Sequence, residues 1–257
     1  MDSRRLLTIL LAGALAWSLF SVDWDRDLVH PGGFGSLADI LAALFSLDLS
    51  PSFLKVALSA SWTTVAYATA GLTLACAIGL PLGIVASGSL GRGIPARLAG
   101  MAAVRLMLAL LRSVHELVWA WLLIVAIGLS PMAAVLALAI PYAGILGRIY
   151  AEVLNDVPEA PLRALRASGA SEVGVLLYGR LPMALPDMLS YTFYRFECAI
   201  RSAAIFSFVG VRGLGYELQI SLDDLLFEQV WTLLFFLVAL VVLVDLWSSS
   251  VRRSLTS

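Results

Sequence analysis

Long apolar runs separated by short polar stretches are the dominant pattern of this chain. Six runs are long enough to cross a bilayer core, which takes roughly 17–25 residues as helix, and they lie at about 6–22, 62–87, 104–129, 131–149, 187–210 and 229–247. Helix is the expected conformation because a backbone in lipid must satisfy its hydrogen bonds internally. The pattern therefore predicts an all-α membrane protein with six transmembrane helices.

The polar insert at 150–186 separates the fourth and fifth apolar runs. Its first part has the features of a helix start, with Pro161 at an early position and Glu159 near the positive end of the helix dipole. Leu162, Leu165 and Arg166 follow at a spacing that places them on one helix face. We expect a short helix with an apolar and basic face.

The second part of the insert predicts another short helix. Gly169 should end the first helix, and Ser171 is suited to cap a second one that runs to about Tyr178. The Leu-Pro pairs at 181–182 and 185–186 should then turn the chain back into the membrane. A helix pair of this kind, held between two spans, is suited to dock into another protein.

Composition agrees with a membrane protein and excludes several kinds of chemistry. The chain has 257 residues, of which 60% are apolar and 14% charged, against about half and a quarter in soluble domains. Its only lysine, Lys55, follows no glycine-rich loop, so ATP hydrolysis by this chain alone is not expected. Cys76 and Cys198 lie in apolar runs, and no cysteine–histidine cluster has metal-binding spacing. We expect no catalytic residues, metal or cofactor in the chain.

Arginines predict the orientation, because basic residues concentrate on the cytoplasmic side of a membrane. With a cytoplasmic N-terminus, three basic residues, Arg26, Lys55 and Arg212, fall outside. Eleven fall in the cytoplasm: Arg4, Arg5, Arg92, Arg97, Arg105, Arg148, Arg163, Arg166, Arg180, Arg252 and Arg253. We therefore expect both termini and the insert to be cytoplasmic.

The N-terminal part is predicted to differ from the rest. The first apolar run follows two arginines but has no small-residue cleavage site, so we interpret it as an uncleaved helix. Residues 37–47 have helical apolar spacing and are predicted to lie on the outer membrane surface. This divides the chain into 1–58, a first helix with an external segment, and 59–257, a transmembrane core.

Charged residues inside two apolar runs form a second group of candidates. A charge in mid-membrane costs about 3 kcal/mol on insertion scales, so such residues face a protein interior or a watery path. Four-residue spacing predicts self-neutralising pairs within each run. These residues are Arg112, His115 and Glu116 in the third run and Arg195, Glu197 and Arg201 in the fifth. They either fix helix packing or line a path for an anionic solute.

The second apolar run contains the segment Gly79-Leu-Pro-Leu-Gly83. Two glycines four residues apart are typical of closely packed transmembrane helices, and the proline between them favours a kink. The segment is therefore interpreted as a helix-packing face, with a gate hinge as the alternative.

The insert resembles the EAA loop of permease subunits of type I ABC importers. That loop has Glu-Ala-Ala, three residues, Gly and then, after a fixed gap, Leu-Pro; here Arg163 replaces the usual Glu and Leu165 the second Ala. In the family the loop fits a cleft on the ATPase subunit, where its Glu makes polar contacts, and Glu159 is the candidate replacement. The resemblance implies ATPase coupling by Glu159, Leu162, Arg163, Ala164, Leu165, Arg166, Ala167, Gly169, Ala170, Leu181 and Pro182.

Within that superfamily the chain is most similar to the phosphonate/phosphate-type permeases. The similar segments, spread over about 60–250, are 112–119, 164–171, 178–182, 190–197, Arg201 and 209–215. His115 stands where relatives commonly have Pro, and Val211-Arg212 where they have a small residue and Gly. These departures mark either a changed substrate or changed packing.

The resemblance implies a homodimeric inner-membrane subunit of an importer for phosphonate or a related oxyanion, such as phosphate or phosphite. It also implies a cytoplasmic ATPase dimer that carries ATP and magnesium, an external solute-binding protein, and no nucleic acid partner. A permease for another solute, such as methionine, is one alternative. A secondary transporter or channel that works alone is another, but it leaves the helical insert without a purpose.

Overall fold

The computed structural model describes residues 3–21, 33–90, 95–207 and 210–256, and these residues form helices and turns without a strand. The acidic positions 23, 25 and 27 and the end of the fifth predicted span, at 208–209, lie outside the described residues. The helices are α1 Ser3–Phe20, α2 Gly33–Ala43, α3 Pro51–Ser87, α4 Pro95–Ser113, α5 Glu116–Ile127, α6 Pro131–Asp156, α7 Glu159–Ala167, α8 Glu172–Val175, α9 Leu181–Phe206, α10 Leu214–Asp223 and α11 Phe227–Thr256. A π-helical turn, Leu176–Arg180, joins α8 to α9.

The chain forms two compact units, Met1–Ser46 and Leu47–Ser257. The first unit contains α1 and α2, so the predicted helix at 37–47 is observed four residues earlier, at Gly33–Ala43. The second unit contains α3 to α11 and the main hydrophobic core.

Three helices are long and apolar enough to cross a membrane, Pro51–Ser87, Pro131–Asp156 and Phe227–Ser254. A bent pair, Leu98–Ser113 with Glu116–Ile127, would make a fourth span. The first and fifth predicted stretches are also helical, in α1 and α9, although neither is among these candidates by length and composition. Within the described residues, the prediction of an all-α membrane protein is confirmed.

A stripe of small residues on α3 packs against α6. A Cβ added at Gly79 would lie 3.2 Å from the Ala143 carbonyl oxygen, and one at Gly83 would lie 2.8 Å from the Gly147 carbonyl oxygen. These contacts are with backbone atoms, so the two helices cross closely at Gly79 and too closely for a Cβ at Gly83. The interpretation of Gly79 and Gly83 as a helix-packing face is confirmed.

A polar clamp fixes the start of α3 beside α11. The backbone N–H of Ser50 donates to Asp48 Oδ1, and this hydrogen bond lowers the pKa of Asp48 below its ordinary value. Gln229 Nε2 donates to Asp48 Oδ2 at 3.2 Å, and Thr232 Oγ1 donates to the Asp48 carbonyl oxygen at 3.1 Å. Both partners lie on α11, so Asp48 joins the start of α3 to α11.

The third predicted span is not one straight helix. It divides into α4 and α5, which meet at an angle of 88°. His115 causes the break: its backbone is extended, and its Nδ1 accepts a hydrogen bond from the N–H of Leu117, which caps α5. The prediction of a continuous span over 104–129 was therefore wrong, because the capping side chain ends one helix and starts the next.

The chain does not turn at the Leu-Pro pairs that follow the insert. The π-helical turn leads directly into α9, and Leu181 has ordinary helical dihedral angles. Pro182 follows the π-helical turn directly and lies in the first turn of α9. The expected turn at 181–186 was therefore wrong, and the helical path continues from Glu172 to Phe206.

Candidate functional site

The insert between α6 and α9 is built around α7. Glu159 lies in its first turn and Arg166 in its last, where their charges favour the helix dipole. The prediction that Gly169 ends this helix is confirmed, since α7 ends at Ala167 and Gly169 has φ +87°. The N–H of Ala170 donates to the Leu165 carbonyl oxygen and that of Gly169 to the Arg166 carbonyl oxygen, which is the Schellman pattern.

One face of α7 is packed into the protein. Leu162 is completely buried, and Leu165 is half-buried against the main core. Gly179, in the π-helical turn, leaves room for both, because a Cβ there would lie 2.8 Å from Leu162 Cδ2 and 2.8 Å from Leu165 Cδ1. The i, i+3 spacing of the two leucines predicted that they share one helix face, but that face was expected to dock on another protein, and nothing in the sequence indicated that it would pack over Gly179.

An alternating chain of charges holds α7 to its neighbours. Arg180 Nη2 lies 3.0 Å from Glu159 Oε1, and Arg166 Nη1 lies 3.3 Å from Glu159 Oε2. Arg166 also donates to both oxygens of Glu172, at 3.0 and 3.3 Å, and its hydrogen bonding to Glu172 raises the pKa of Arg166. We call Glu159, Arg166, Glu172 and Arg180 the insert charge chain.

Arg180 anchors this chain in the protein interior. Its side chain is only 9% exposed, and its Nη1 donates to the Leu154 carbonyl oxygen at 3.2 Å. Leu154 belongs to α6 and Glu159 to α7, so one guanidinium holds the end of α6, the start of α7 and the start of α9 together. Nothing in the sequence indicated an anchoring role for Arg180, because its burial follows only from the tertiary structure.

The outward face of α7 is exposed in the part of the chain that the structure describes. Arg163, Ala164 and Ala167 are exposed, and Arg163 forms no hydrogen bond or ion pair with any described residue. Tyr178 is 80% exposed and Val173 53% exposed beyond the glycine turn. A surface of this kind, basic with apolar side chains beside it, is typical of a docking site.

The predicted coupling residues divide between these two faces. Leu162, Leu165, Arg166 and Ala170 are buried or half-buried, whereas Arg163, Ala164, Ala167 and Gly169 are exposed. Leu181 is half-buried and Pro182 exposed at the start of α9. Both carboxylate oxygens of Glu159 are engaged by arginines of the chain itself, so its use as a replacement contact for an ATPase stays a prediction.

The charges within the spans do not pair as their spacing suggested. Arg112 and Glu116 lie on different helices, and Ser202 Oγ donates to Glu116 Oε1 at 2.7 Å. Glu197 Oε1 lies 2.9 Å from Arg252 Nη2 of α11 rather than beside Arg201. Both predicted i, i+4 pairs were therefore wrong: the bend at His115 separates the first, and a partner from α11 competes successfully in the second.

The remaining two candidates of the fifth run have unequal surroundings. Arg195 Nη2 donates to Tyr191 Oη at 2.8 Å, and its guanidinium carbon lies 5.3 Å from the centre of that ring. Arg201 is exposed and approaches only Cys198 Sγ, at 3.5 Å, among the described residues. Whether these arginines line a path stays a prediction.

The family comparison agrees with this architecture. Residues 79–257 match the family described as binding-protein-dependent transport system inner membrane component. The chain is 33% identical over 190 residues to the phosphite transport system permease protein PtxC of Stutzerimonas stutzeri, which covers 74% of this chain and 68% of that protein. It is 27% identical over 192 residues to the phosphate-import permease protein PhnE of Mycolicibacterium smegmatis, covering 75% of this chain and 35% of that protein.

Among solved structures, the fold resembles the inward-facing MetNI methionine ABC transporter. The superposition has a TM-score of 0.70 at 23% identity and covers 81% of this chain and 100% of the other. At this identity the likeness establishes the type I ABC permease fold and not the solute. The matched family covers more than two thirds of the chain, so this protein belongs to the binding-protein-dependent transport system inner membrane components and is a membrane-spanning importer permease.

Proposed function

We propose that the chain imports a phosphorus oxyanion by alternating access, driven by a separate ATPase. The proposed solute is phosphonate or a related oxyanion such as phosphite or phosphate, and the relatives named above, a phosphite permease and a phosphate permease, support this class. The observation that carries the proposal is the exposed face of α7, which is anchored through Arg180 to both α6 and α9. Motion imposed on that face passes directly to two helices.

The proposal assigns three protein partners. A cytoplasmic ATPase dimer docks on Arg163, Ala164 and Ala167, a second copy of this chain completes the permease, and an external solute-binding protein delivers the solute. ATP and magnesium bind to the ATPase, since the only lysine of this chain is not preceded by a phosphate-binding loop. No cofactor is assigned to the chain itself.

The proposal also places both termini and the insert in the cytoplasm, and cysteine labelling tests this. In a background with Cys76 and Cys198 replaced by alanine, Tyr178→Cys should react with a membrane-impermeant maleimide only after cells are permeabilised. Lys55 is exposed near the start of α3, on the side expected to face outward, so Lys55→Cys should react in intact cells. Labelling of Tyr178→Cys in intact cells would contradict this orientation.

Substituting valine for Gly169 tests coupling. The residue has φ +87°, and no atom lies within 4 Å of an added Cβ, so the effect is on the backbone and not on packing. A β-branched residue in this conformation costs about 1–3 kcal/mol, enough to displace α7 but not to unfold the protein. We expect at least about tenfold less ATP-driven uptake and ATPase stimulation in liposomes with the partner proteins, with normal membrane insertion.

The matched control is Gly169→Asn, because asparagine tolerates a positive φ. This variant should keep most of the uptake. Wild-type uptake by Gly169→Val would exclude coupling through this turn. Uptake by the wild-type chain in liposomes that lack both ATPase and ATP would support a transporter that works alone.

A further inference from the structure

A cavity of about 350 Å³ opens between α3, α4 and α6, away from the insert. Its floor is a small apolar cluster formed by Ala86 of α3, Leu108 of α4 and Ala151 of α6. Its walls carry Arg105 and Arg112 from α4 and Arg148 from α6, so we call it the arginine pocket. The volume lies at the lower end of the range for small-ligand sites, about 300–1,000 Å³.

The arginine pocket carries excess positive charge. Its lining contains three arginines and one acidic residue, Glu152, which gives a net charge of +2. Glu152 is engaged by Arg148 at 2.7 Å, and Arg105 Nε donates to the Ala86 carbonyl oxygen at 2.9 Å, which leaves its terminal nitrogens available. Arg112 forms no hydrogen bond or ion pair with any residue that the structure describes. Like charges gathered in this way repel one another unless an anion joins them.

Close packing fixes the two helix backbones that carry these arginines. A Cβ added at Gly144 of α6 would lie 2.9 Å from the Leu108 carbonyl oxygen and 3.1 Å from the Arg112 nitrogen. The α4 backbone thus lies directly on α6, and Leu108 is 2% exposed beneath the arginines. Binding would therefore order the three exposed arginine side chains but would not have to bring the helices together, because these are already in contact.

We propose that the arginine pocket binds a phosphate-class oxyanion, as the free ion or as the head group of an anionic phospholipid. Guanidinium groups recognise tetrahedral oxyanions through paired N–H donors, and Arg105, Arg112 and Arg148 offer such donors from two helices. A bound oxyanion would join α4 to α6. The site is separate from the insert, so this proposal does not depend on ATPase coupling.

Direct binding to the purified full chain tests the proposal without any partner protein. The chain is stripped of lipid in a neutral detergent, and calorimetry measures its affinity for inorganic phosphate, for dihexanoyl phosphatidylglycerol and for dihexanoyl phosphatidylcholine. We expect binding of phosphate, of phosphatidylglycerol or of both, weakened by added salt because the interaction is between charges. Phosphatidylcholine should not bind.

Two variants and a matched control locate the site. Arg112→Gln should lower the affinity at least about tenfold, and folding should survive because Arg112 has no partner among the described residues. Arg148→Gln should also weaken binding. Lys55→Gln removes an equal charge at the opposite end of α3, about 47 Å along the helix from Ala86, and should bind as the wild type does.

The two anion sources give different outcomes. Arginine-dependent binding of inorganic phosphate supports a free-ion site, and arginine-dependent binding of phosphatidylglycerol alone supports a head-group site. The proposal would be overturned if neither phosphate nor phosphatidylglycerol binds. It would also be overturned if the Arg112→Gln, Arg148→Gln and Lys55→Gln variants bind with equal affinity. Failure of ATP-driven uptake would count against the proposed function only.

Discussion

Replacing Gly83 with leucine is expected to prevent α3 and α6 from packing. A Cβ at this position would lie 2.8 Å from the Gly147 carbonyl oxygen and 3.0 Å from Tyr150 Cβ, and the first of these is backbone that cannot rotate away. Even alanine should destabilise the fold by about 1–3 kcal/mol through overpacking. Thermal unfolding in detergent should show a midpoint lowered by several degrees for Gly83→Ala and loss of a monodisperse protein for Gly83→Leu.

The matched control for this prediction is Gly100, in α4, where an added Cβ meets no atom within 4 Å. Gly100→Ala should be neutral or slightly stabilising, because alanine is favoured over glycine in a helix by about 1 kcal/mol. If Gly83→Ala and Gly100→Ala unfold at the same temperature, the close crossing of α3 and α6 is incorrect.

Replacing Arg180 with alanine is expected to release the insert from the two helices that flank it. The change removes the ion pair with Glu159 and the hydrogen bond to the Leu154 carbonyl oxygen, and it leaves a cavity where a side chain 9% exposed had been. Because Glu159 is 56% exposed, solvent screens part of the pair, and we estimate a loss of about 2 kcal/mol. ATP-driven uptake should fall by more than the lower stability alone would cause, because α7 would no longer move with α9.

Arg163→Ala provides the control for Arg180→Ala within the same segment. Arg163 is exposed and has no partner among the described residues, so its removal should not change the thermal midpoint. Equal midpoints for Arg180→Ala and Arg163→Ala would contradict an anchoring role for Arg180. A midpoint lowered only in Arg180→Ala, with uptake reduced in the same variant, would support it.

The two halves of the insert differ in how well the sequence predicted them. The end of α7 at Gly169 and the cap at Ser171 follow from local rules, and the Ser171 side chain does accept the N–H of Gly174. The π-helical turn and its direct entry into α9 were not predictable, because the prolines suggested a turn. In the folded chain this turn places Gly179 against Leu162 and Leu165.

Ionic partners were the least predictable part of the candidate site. Spacing alone paired Glu116 with Arg112 and Glu197 with Arg201, but the partners found are Ser202 for Glu116 and Arg252 for Glu197. Two opposite charges four residues apart pair only when both lie on one continuous helix and no neighbouring helix supplies a closer partner. Tertiary partners lie 86 and 55 residues away in the chain.

The sequence by itself determined the membrane-helix class, the small-residue face of α3, the helical insert and its glycine end. Each depends on the order of apolar, small and helix-ending residues over one or a few turns, where propensity and burial act locally. Only the tertiary structure decided the break at His115, the burial of Arg180 beside Glu159, and the meeting of Arg105, Arg112 and Arg148 around one cavity. These features depend on which helices lie side by side, and the free energy of a charge depends on the neighbours that this packing supplies.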